Sequence, residues 1–454
     1  MSDNQIVSEL MKKSRIALQE LENYTQDQVD ALVKAMAKAV YDNADMLAKE
    51  AAEETRLGVY EHKIIKNAGT AEGLWKELKG KASVGIIKRD PEKKLVYIAK
   101  PKGVIAAVSP TTNPTITPMG NAMLAVKGRN TIIIAPHPRS KKVSTHTVNL
   151  MNEALRKLGA PENIVQIVEE PSIEVTQELM RVCDTTIATG GMGMVKSAYS
   201  SGKPSFGVGA GNVQSILDRD IDYDKAAKDS IFGRIFDNGI ICAGNQSIIA
   251  PVEKHKEIME IYKKNGAYYV EDEAVVDKFR NALFTNGVVN GKAVGQSVQF
   301  IANLAGVKVP EETKVIVLKA KGKGEADPLC QEKMAPVMIT LTYDTFEEAV
   351  DIAKANLLYC GAGHSTVIYS DNDKHIEYAG LSLPVCRLIV NQPGLAAANG
   401  MPSSGLTATT TLGCGSWGNN SLSENLTYEH LLNVIRVAYE IKDPKVPTSE
   451  EIWG

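Results

Sequence analysis

At 454 residues, with 44% hydrophobic and 23% charged side chains, the chain exceeds what one hydrophobic core organises, and two globular lobes with a site between them are expected. A formal net charge of -3 without a basic or acidic tail gives no electrostatic ground for nucleic acid binding. The opening residues lack the pattern of a secretory leader and no apolar run approaches membrane-spanning length, so a cytoplasmic protein with no membrane partner is expected.

Residues 6–79 are rich in Ala, Leu, Lys and Glu, and Val29, Leu32, Val33, Met36, Ala37 and Val40 recur at helical spacing, which predicts a helical opening segment. Residues 84–88 and 95–99, around a turn at Asp90-Pro91, read as an antiparallel extended pair; an oligomer contact there buries its edges. After Pro101 the pattern becomes strand, helix, strand, with strands at 103–108, 131–135, 164–168 and 185–188. Such alternation predicts an open parallel sheet whose ligands sit beyond the carboxyl ends of its strands. The segments following these strands, at 109–114, 136–139 and 189–193, are expected to line one crevice. A second alternating series from about residue 240 supplies strands at 315–318, 337–341, 365–369 and 388–390. The glycine-rich stretch 394–418 reads as a long functional loop.

Six cysteines, Cys183, Cys242, Cys330, Cys360, Cys386 and Cys414, form no CxxC pair and have no companion histidine spacing. That argues against zinc, iron–sulfur or a disulfide framework and leaves thiols free, with no metal expected. Cys242 lies between Asp237-Asn238-Gly239 and Ala243-Gly244-Asn245, small and polar neighbours that let backbone amides approach an attacking sulfur and a developing oxyanion. Any single cysteine is more often a small buried hydrophobe, which suits Cys183 and Cys386. Cys414, flanked by Gly413 and Gly415, has an equally open context, and local sequence does not separate it from Cys242.

Ordered blocks along nearly the whole chain resemble the aldehyde dehydrogenase superfamily, in particular its CoA-acylating branch and, within it, the CoA-dependent enzymes of succinate semialdehyde. The blocks are Gly58-Val59-Tyr60-Glu61, Pro110-Thr111-Thr112-Asn113-Pro114, Pro136-His137-Pro138-Arg139-Ser140-Lys141-Lys142, Ala188-Thr189-Gly190-Gly191, 204–212, the Cys242 loop, 330–336, Gly361-Ala362-Gly363-His364 and 411–418. The resemblance implies an α/β fold of two Rossmann-like lobes with an extended oligomerisation β-segment. A nicotinamide cofactor-binding domain at 1–235 carries a hairpin at about 83–100. A catalytic domain follows at 236–420, and a segment at 421–454 returns to the cofactor domain and the oligomer interface of a homodimer or homotetramer.

It also implies that Cys242 is the nucleophile and that Asn113, with the backbone amide of Cys242, holds the tetrahedral oxyanion. Taken alone, an asparagine before Pro114 reads as a turn-former. A thiol suits a reaction that passes through two thioesters and a thiohemiacetal. Hydrolytic relatives carry a Glu-Leu-Gly-Gly pattern whose glutamate activates water, whereas this chain reads Phe206-Gly207-Val208-Gly209; without that base, coenzyme A is the expected acyl acceptor. His364 is a candidate for protonating or placing coenzyme A, although a lone histidine among small residues is more often structural.

Cofactor contacts implied by the same likeness are Thr111, Thr112, His137, Pro138, Arg139, Ser140, Lys141, Gly190, Gly191, Gly209, Leu412 and Glu332, the last on the nicotinamide ribose. The basic cluster at 139–142, with no acidic neighbour in sequence, favours NADP(H) over NAD(H). For the acyl group, the relatives use a lysine on an early helix and a serine after the nucleophile to bind a succinyl carboxylate. Thr70 and Ala243 stand there in this chain; Ile241 and Arg387 complete the substrate-binding candidates, and Lys66, Arg234 or Arg387 are the cations available to compensate. An uncharged four-carbon acyl group is the alternative substrate.

Overall fold

Helical periodicity at the start of the chain is realised as four helices, Asp3–Leu21, Gln26–Asp42, Ala44–Thr55 and Tyr60–Leu78, in a computed structural model that describes residues 3–454. The six apolar positions singled out on the second helix are all buried. Thr25 and Gln28 close its N-terminus as a reciprocal capping box, satisfying amides that the first turn leaves free. Arg56 in the left-handed conformation ends the third.

Strands Gly85–Asp90 and Leu95–Pro101 form the antiparallel pair, with an irregular register between Ile86 and Lys88. Strand Leu432–Ala438, near the end of the chain, pairs antiparallel with Leu95–Pro101, making a three-stranded sheet. The five-stranded parallel sheet has the spatial order Val165–Ile167, Thr131–Pro136, Val104–Ser109, Thr185–Thr189, Ser205–Val208. Its central strands are buried along their whole length, as strands covered on both faces are, and helix Ile116–Lys127 beside them is buried at every position.

A seven-stranded parallel sheet is ordered Ala267–Val270, Val315–Lys319, Val337–Tyr343, Ser247–Pro251, Gln214–Leu217, Thr366–Tyr369, Leu388–Val390. The change of sheet therefore falls between Val208 and Gln214, earlier than the boundary expected at 235/236. Gln214–Leu217 is a four-residue segment, half of it polar, that sequence does not assign to either sheet; its pairing with Thr366–Tyr369 and Ser247–Pro251 does. The terminal residues Leu422, Leu426, Tyr428, Leu431 and Leu432 pack into the core shared by the opening helices and the five-stranded sheet. Among the described residues no helix is long and apolar enough to cross a membrane.

Candidate active site

A cleft of about 410 Å3 opens at the carboxyl ends of the five-stranded sheet, where Ser109, Pro136, Thr189 and Val208 end their strands. Its opposite wall comes from the second sheet's share of the chain: Ile240, Cys242, Gly291, Val294, Glu332 and Met334. Parallel sheets place ligands at this edge because loops there are free to diverge and helix N-termini point at it. Thr111, Thr112, Asn113, His137, Pro138, Arg139, Gly190, Gly191 and Gly209 all line this one cleft with Cys242 and Glu332.

The cysteine is delivered by a tight turn. Asp237, Asn238 and Gly239 all have positive φ, of 52°, 51° and 72°, reversing the chain at the end of helix Tyr223–Ile235. Gly211 then passes so close that a Cβ on it would lie 1.9 Å from the Cys242 carbonyl oxygen, so only glycine fits between the two segments. On the facing loop the Asn113 amide is uncommitted: Nδ2 reaches only Thr112 Oγ1, at 3.4 Å, and Oδ1 is buried without a partner. Buried polar atoms usually find a partner in the protein, in ordered water or in a ligand, so these atoms are available to a bound molecule. Ser109 Oγ and Thr189 Oγ1, also on the cleft, are unpartnered in the same way.

Burial, followed by the charge of Glu332, pushes the Cys242 thiol up to about 12. Glu332 is itself raised to about 7 by burial, opposed by Arg234. The resting nucleophile is thus a protonated thiol beside a carboxyl group that titrates near neutrality. Because the Glu332 charge disfavours thiolate, Glu332→Gln is expected to lower the pH midpoint of Cys242 alkylation by iodoacetamide; burial keeps that midpoint above a free thiol's. An unchanged or raised midpoint contradicts the assignment.

Other candidates stand elsewhere. Cys414 is fully buried and does not line the cleft, and burial pushes its thiol up to about 11. His364 is fully buried, with Nδ1 2.8 Å from Ser365 Oγ and Nε2 unpartnered; burial and then Arg387 bring it down to about 3, so its ring is neutral at physiological pH. Ser140 is buried and donates to His137 O at 3.3 Å, and Leu412 belongs to the core of the second lobe. Ala243 is in that same core, Ile241 packs with Leu57, Phe236, Ile240 and Leu395, and Thr70 is half-exposed on helix Tyr60–Leu78; none of the three lines the cleft.

Each of the cations offered as carboxylate partners makes hydrogen bonds within the protein, while Arg234 Nε and Arg387 Nε have no partner among the described residues. Lys66 binds Asp237 and Thr112 O, and Arg234 donates to Gly239 O and Asn245 O. Arg387 donates to Asn425 Oδ1 at 3.1 Å and Gly413 O at 2.7 Å. Among the described residues lining the cleft, the permanently charged cation is Arg139, with Glu332 the carboxylate. At 206, where hydrolytic relatives hold their water-activating glutamate, Phe206 packs against the first core.

The premise that no acidic group stands near the basic cluster is corrected by the fold. Lys141 pairs with Glu170, and the Glu54 carboxylate accepts the amides of Lys142 and Val143 at 2.9 and 2.8 Å, capping helix Lys141–Lys157. Glu54 comes from helix Ala44–Thr55, far off in sequence. Ser172, Ile173, Thr176 and Met194 on the cleft wall carry no signal in the sequence, whereas Ser109 and Thr189 fall within the segments expected to line the crevice.

Cys242, the one cysteine that lines the cleft among the described residues, shares it with an uncommitted amide in a crevice of Rossmann type, and this defines a two-lobed cysteine enzyme of the nucleotide-binding α/β class. The chain belongs to the aldehyde dehydrogenase family, whose sequence model matches residues 1–303. It is 61% identical over 454 residues, 100% of each chain, to a succinate-semialdehyde dehydrogenase (acetylating) of Clostridium kluyveri. It is 39% identical to a sulfoacetaldehyde dehydrogenase of Acholeplasma sp, covering 98% of this chain and 93% of that one. An acetylating aldehyde dehydrogenase from Geobacillus thermoglucosidasius superposes with a TM-score of 0.94 at 34% identity, covering 98% of both chains. A propionaldehyde dehydrogenase of Rhodopseudomonas palustris, solved with bound CoA and an acylated cysteine, gives 0.84 at 27% identity over 95% of this chain and 97% of that one.

Proposed function

We propose that the protein is a CoA-acylating aldehyde dehydrogenase that interconverts succinyl-CoA and succinate semialdehyde with a nicotinamide cofactor. The observation that carries the reading is the pairing of Cys242 with the free Asn113 amide across one cleft that lacks the water-activating carboxylate. In the reductive direction Cys242 Sγ attacks the thioester carbonyl carbon, and the oxygen gains charge and accepts hydrogen bonds from Asn113 Nδ2 and the Cys242 amide. Collapse breaks the bond to the CoA sulfur, CoA leaves as thiol with the proton that Cys242 gives up, and an acyl-cysteine thioester remains. The nicotinamide, when bound, supplies the hydride that takes this thioester to the aldehyde level. Release of aldehyde regenerates Cys242. In reverse, CoA thiol takes the acyl group because its own nucleophilicity makes the absent base dispensable.

Orphaned Ser109 and Thr189 hydroxyls and the opening of helix Met192–Tyr199 at Gly191 fit a dinucleotide, with Glu332 on the nicotinamide side and Arg139 on the adenosine side. Arg139 is exposed and pairs with no carboxylate among the described residues, which supports NADP(H) over NAD(H). Glu54 opposes it. Glu54→Gln is expected to raise the ratio of kcat/KM for NADPH over NADH roughly tenfold by removing that charge. A parallel fall with both cofactors would mean that Glu54 serves only as a helix cap.

The five-stranded unit is read as cofactor-binding, the seven-stranded unit as catalytic, and the three-stranded sheet, with Ile86 and Ile435 about half exposed, as the contact of a homodimer or homotetramer.

An uncharged four-carbon acyl group is the second reading. It is favoured by the hydrogen bonds that Lys66, Arg234 and Arg387 make within the protein, Lys66 to the Asp237 carboxylate, which draw these cations away from a substrate carboxylate. Purified enzyme given succinyl-CoA, 4-hydroxybutyryl-CoA or butyryl-CoA with NADPH or NADH, followed by loss of reduced-cofactor absorbance and release of CoA thiol, tests both. Fastest turnover of succinyl-CoA supports the first reading. Preference for an uncharged chain supports the second, and absence of CoA thiol release with every substrate overturns the acylating activity.

A further inference from the structure

The two catalytic loops arrive from different sheets, and a buried ionic clasp joins them. Lys66 Nζ donates to Thr112 O at 3.2 Å, the carbonyl immediately before Asn113, and to Asp237 Oδ2, five residues before Cys242. Lys63, one turn earlier on the same helix, donates to Asp237 Oδ2 at 3.1 Å. Asp237 Oδ1 accepts the Val59 amide at 2.8 Å. Side-chain exposure is 3% at Lys63, 7% at Lys66 and 0% at Asp237, so the triad is removed from water. Asn238 extends the clasp, donating to Gly58 O at 3.3 Å and Gly295 O at 3.0 Å.

We propose that Lys66 is a positioning residue that holds the Asn113 oxyanion donor in register with the Cys242 nucleophile by bridging Thr112 O and Asp237. The inference rests on the catalytic reading of Asn113 and Cys242 given above. A buried ion pair is weak evidence for stability, because well-packed apolar groups serve stability as well or better. Registry between two loops is what an ammonium with several donors adds: one nitrogen addresses a carbonyl on one loop and a carboxylate on the other. An oxyanion donor needs placement within about 0.5 Å to act fully. Among the described residues Lys63 shares Asp237 but makes no bond to the Asn113 loop, so it is a control supplied by the fold.

In steady state, Lys66→Met is expected to lower kcat for acyl-CoA reduction about 10²-fold, the scale of a catalytic group moved by about 1 Å, with the acyl-CoA KM within about threefold of the parent. Lys63→Met is expected to stay within about threefold in kcat, and Lys66→Arg, which can still span both oxygens, to recover most of the activity. Should Lys66→Met not fold, Lys66→Gln carries the same test, since a neutral amide of shorter reach cannot bridge both loops. Retention of kcat in the Lys66 variant, or equal loss in the Lys63 and Lys66 variants in step with melting temperature, overturns the proposal. Cys242→Ala and Asn113→Ala in the same assay separate the failures: if they are inactive while Lys66→Met is not, only the positioning role falls, and if they are active, the site reading falls.

Discussion

Cys242→Ala is expected to reduce acyl-CoA-dependent oxidation of NADPH to the limit of detection, a loss on the order of 10⁶-fold, because every covalent step of the proposed cycle uses its sulfur. Fold and cofactor affinity are expected to survive, since the substitution removes one sulfur from a half-buried residue and introduces no clash. The measurement pairs stopped-flow absorbance with release of CoA thiol, so that loss of acylation is read separately from loss of reduction. Cys414 is the competitor of equal local sequence context. It is shut away from the cleft and its thiol is held high by burial, so undiminished turnover in Cys242→Ala would require the loop at 411–418 to open. That result would sink the mechanism.

Asn113→Ala is expected to lower kcat by about 10²- to 10³-fold, the cost of one oxyanion donor, with little change in the acyl-CoA KM. The side chain makes a single weak contact in the resting protein, so its removal leaves few native hydrogen bonds broken and stability close to the parent's. Asn113→Asp is the sharper variant. It nearly preserves shape but places an acceptor where the donor stood, and activity is expected at or below that of Asn113→Ala. A large KM increase with kcat intact would instead make Asn113 a substrate-binding group.

Comparison of the two readings of the cofactor cluster shows where sequence stops. Strand runs such as 131–135 and the helical period of 26–42 announce themselves because local burial imposes a repeat of two or 3.6 residues. The segment 214–217 does not, being too short for periodicity, and only its hydrogen-bonded neighbours assign it to the seven-stranded sheet. Glu54 is invisible in the same way. Nothing near 139–142 in sequence is acidic, yet a helix some ninety residues earlier sets a carboxylate on the amides of Lys142 and Val143. Lys66, Arg234 and Arg387 repeat the lesson, since spacing does not give the direction of their side chains and only the packed structure shows their hydrogen-bond partners.

By itself the sequence determined the helix and strand periods, the parallel α/β class, and, through its ordered blocks, the family and the loop that carries the thiol. These are properties of consecutive residues, written at short range by hydrophobic repeat and by the glycines and prolines that stop each strand. Tertiary structure alone decided that Cys242 and not Cys414 lines the cleft, which hydrogen-bond partners Lys66, Arg234 and Arg387 take, and how the Asn113 and Cys242 loops are held together. Those depend on approaches between segments up to about 180 positions apart, as in the contact of Val59 with Asp237, where side-chain direction and burial set the chemistry and no local pattern encodes them.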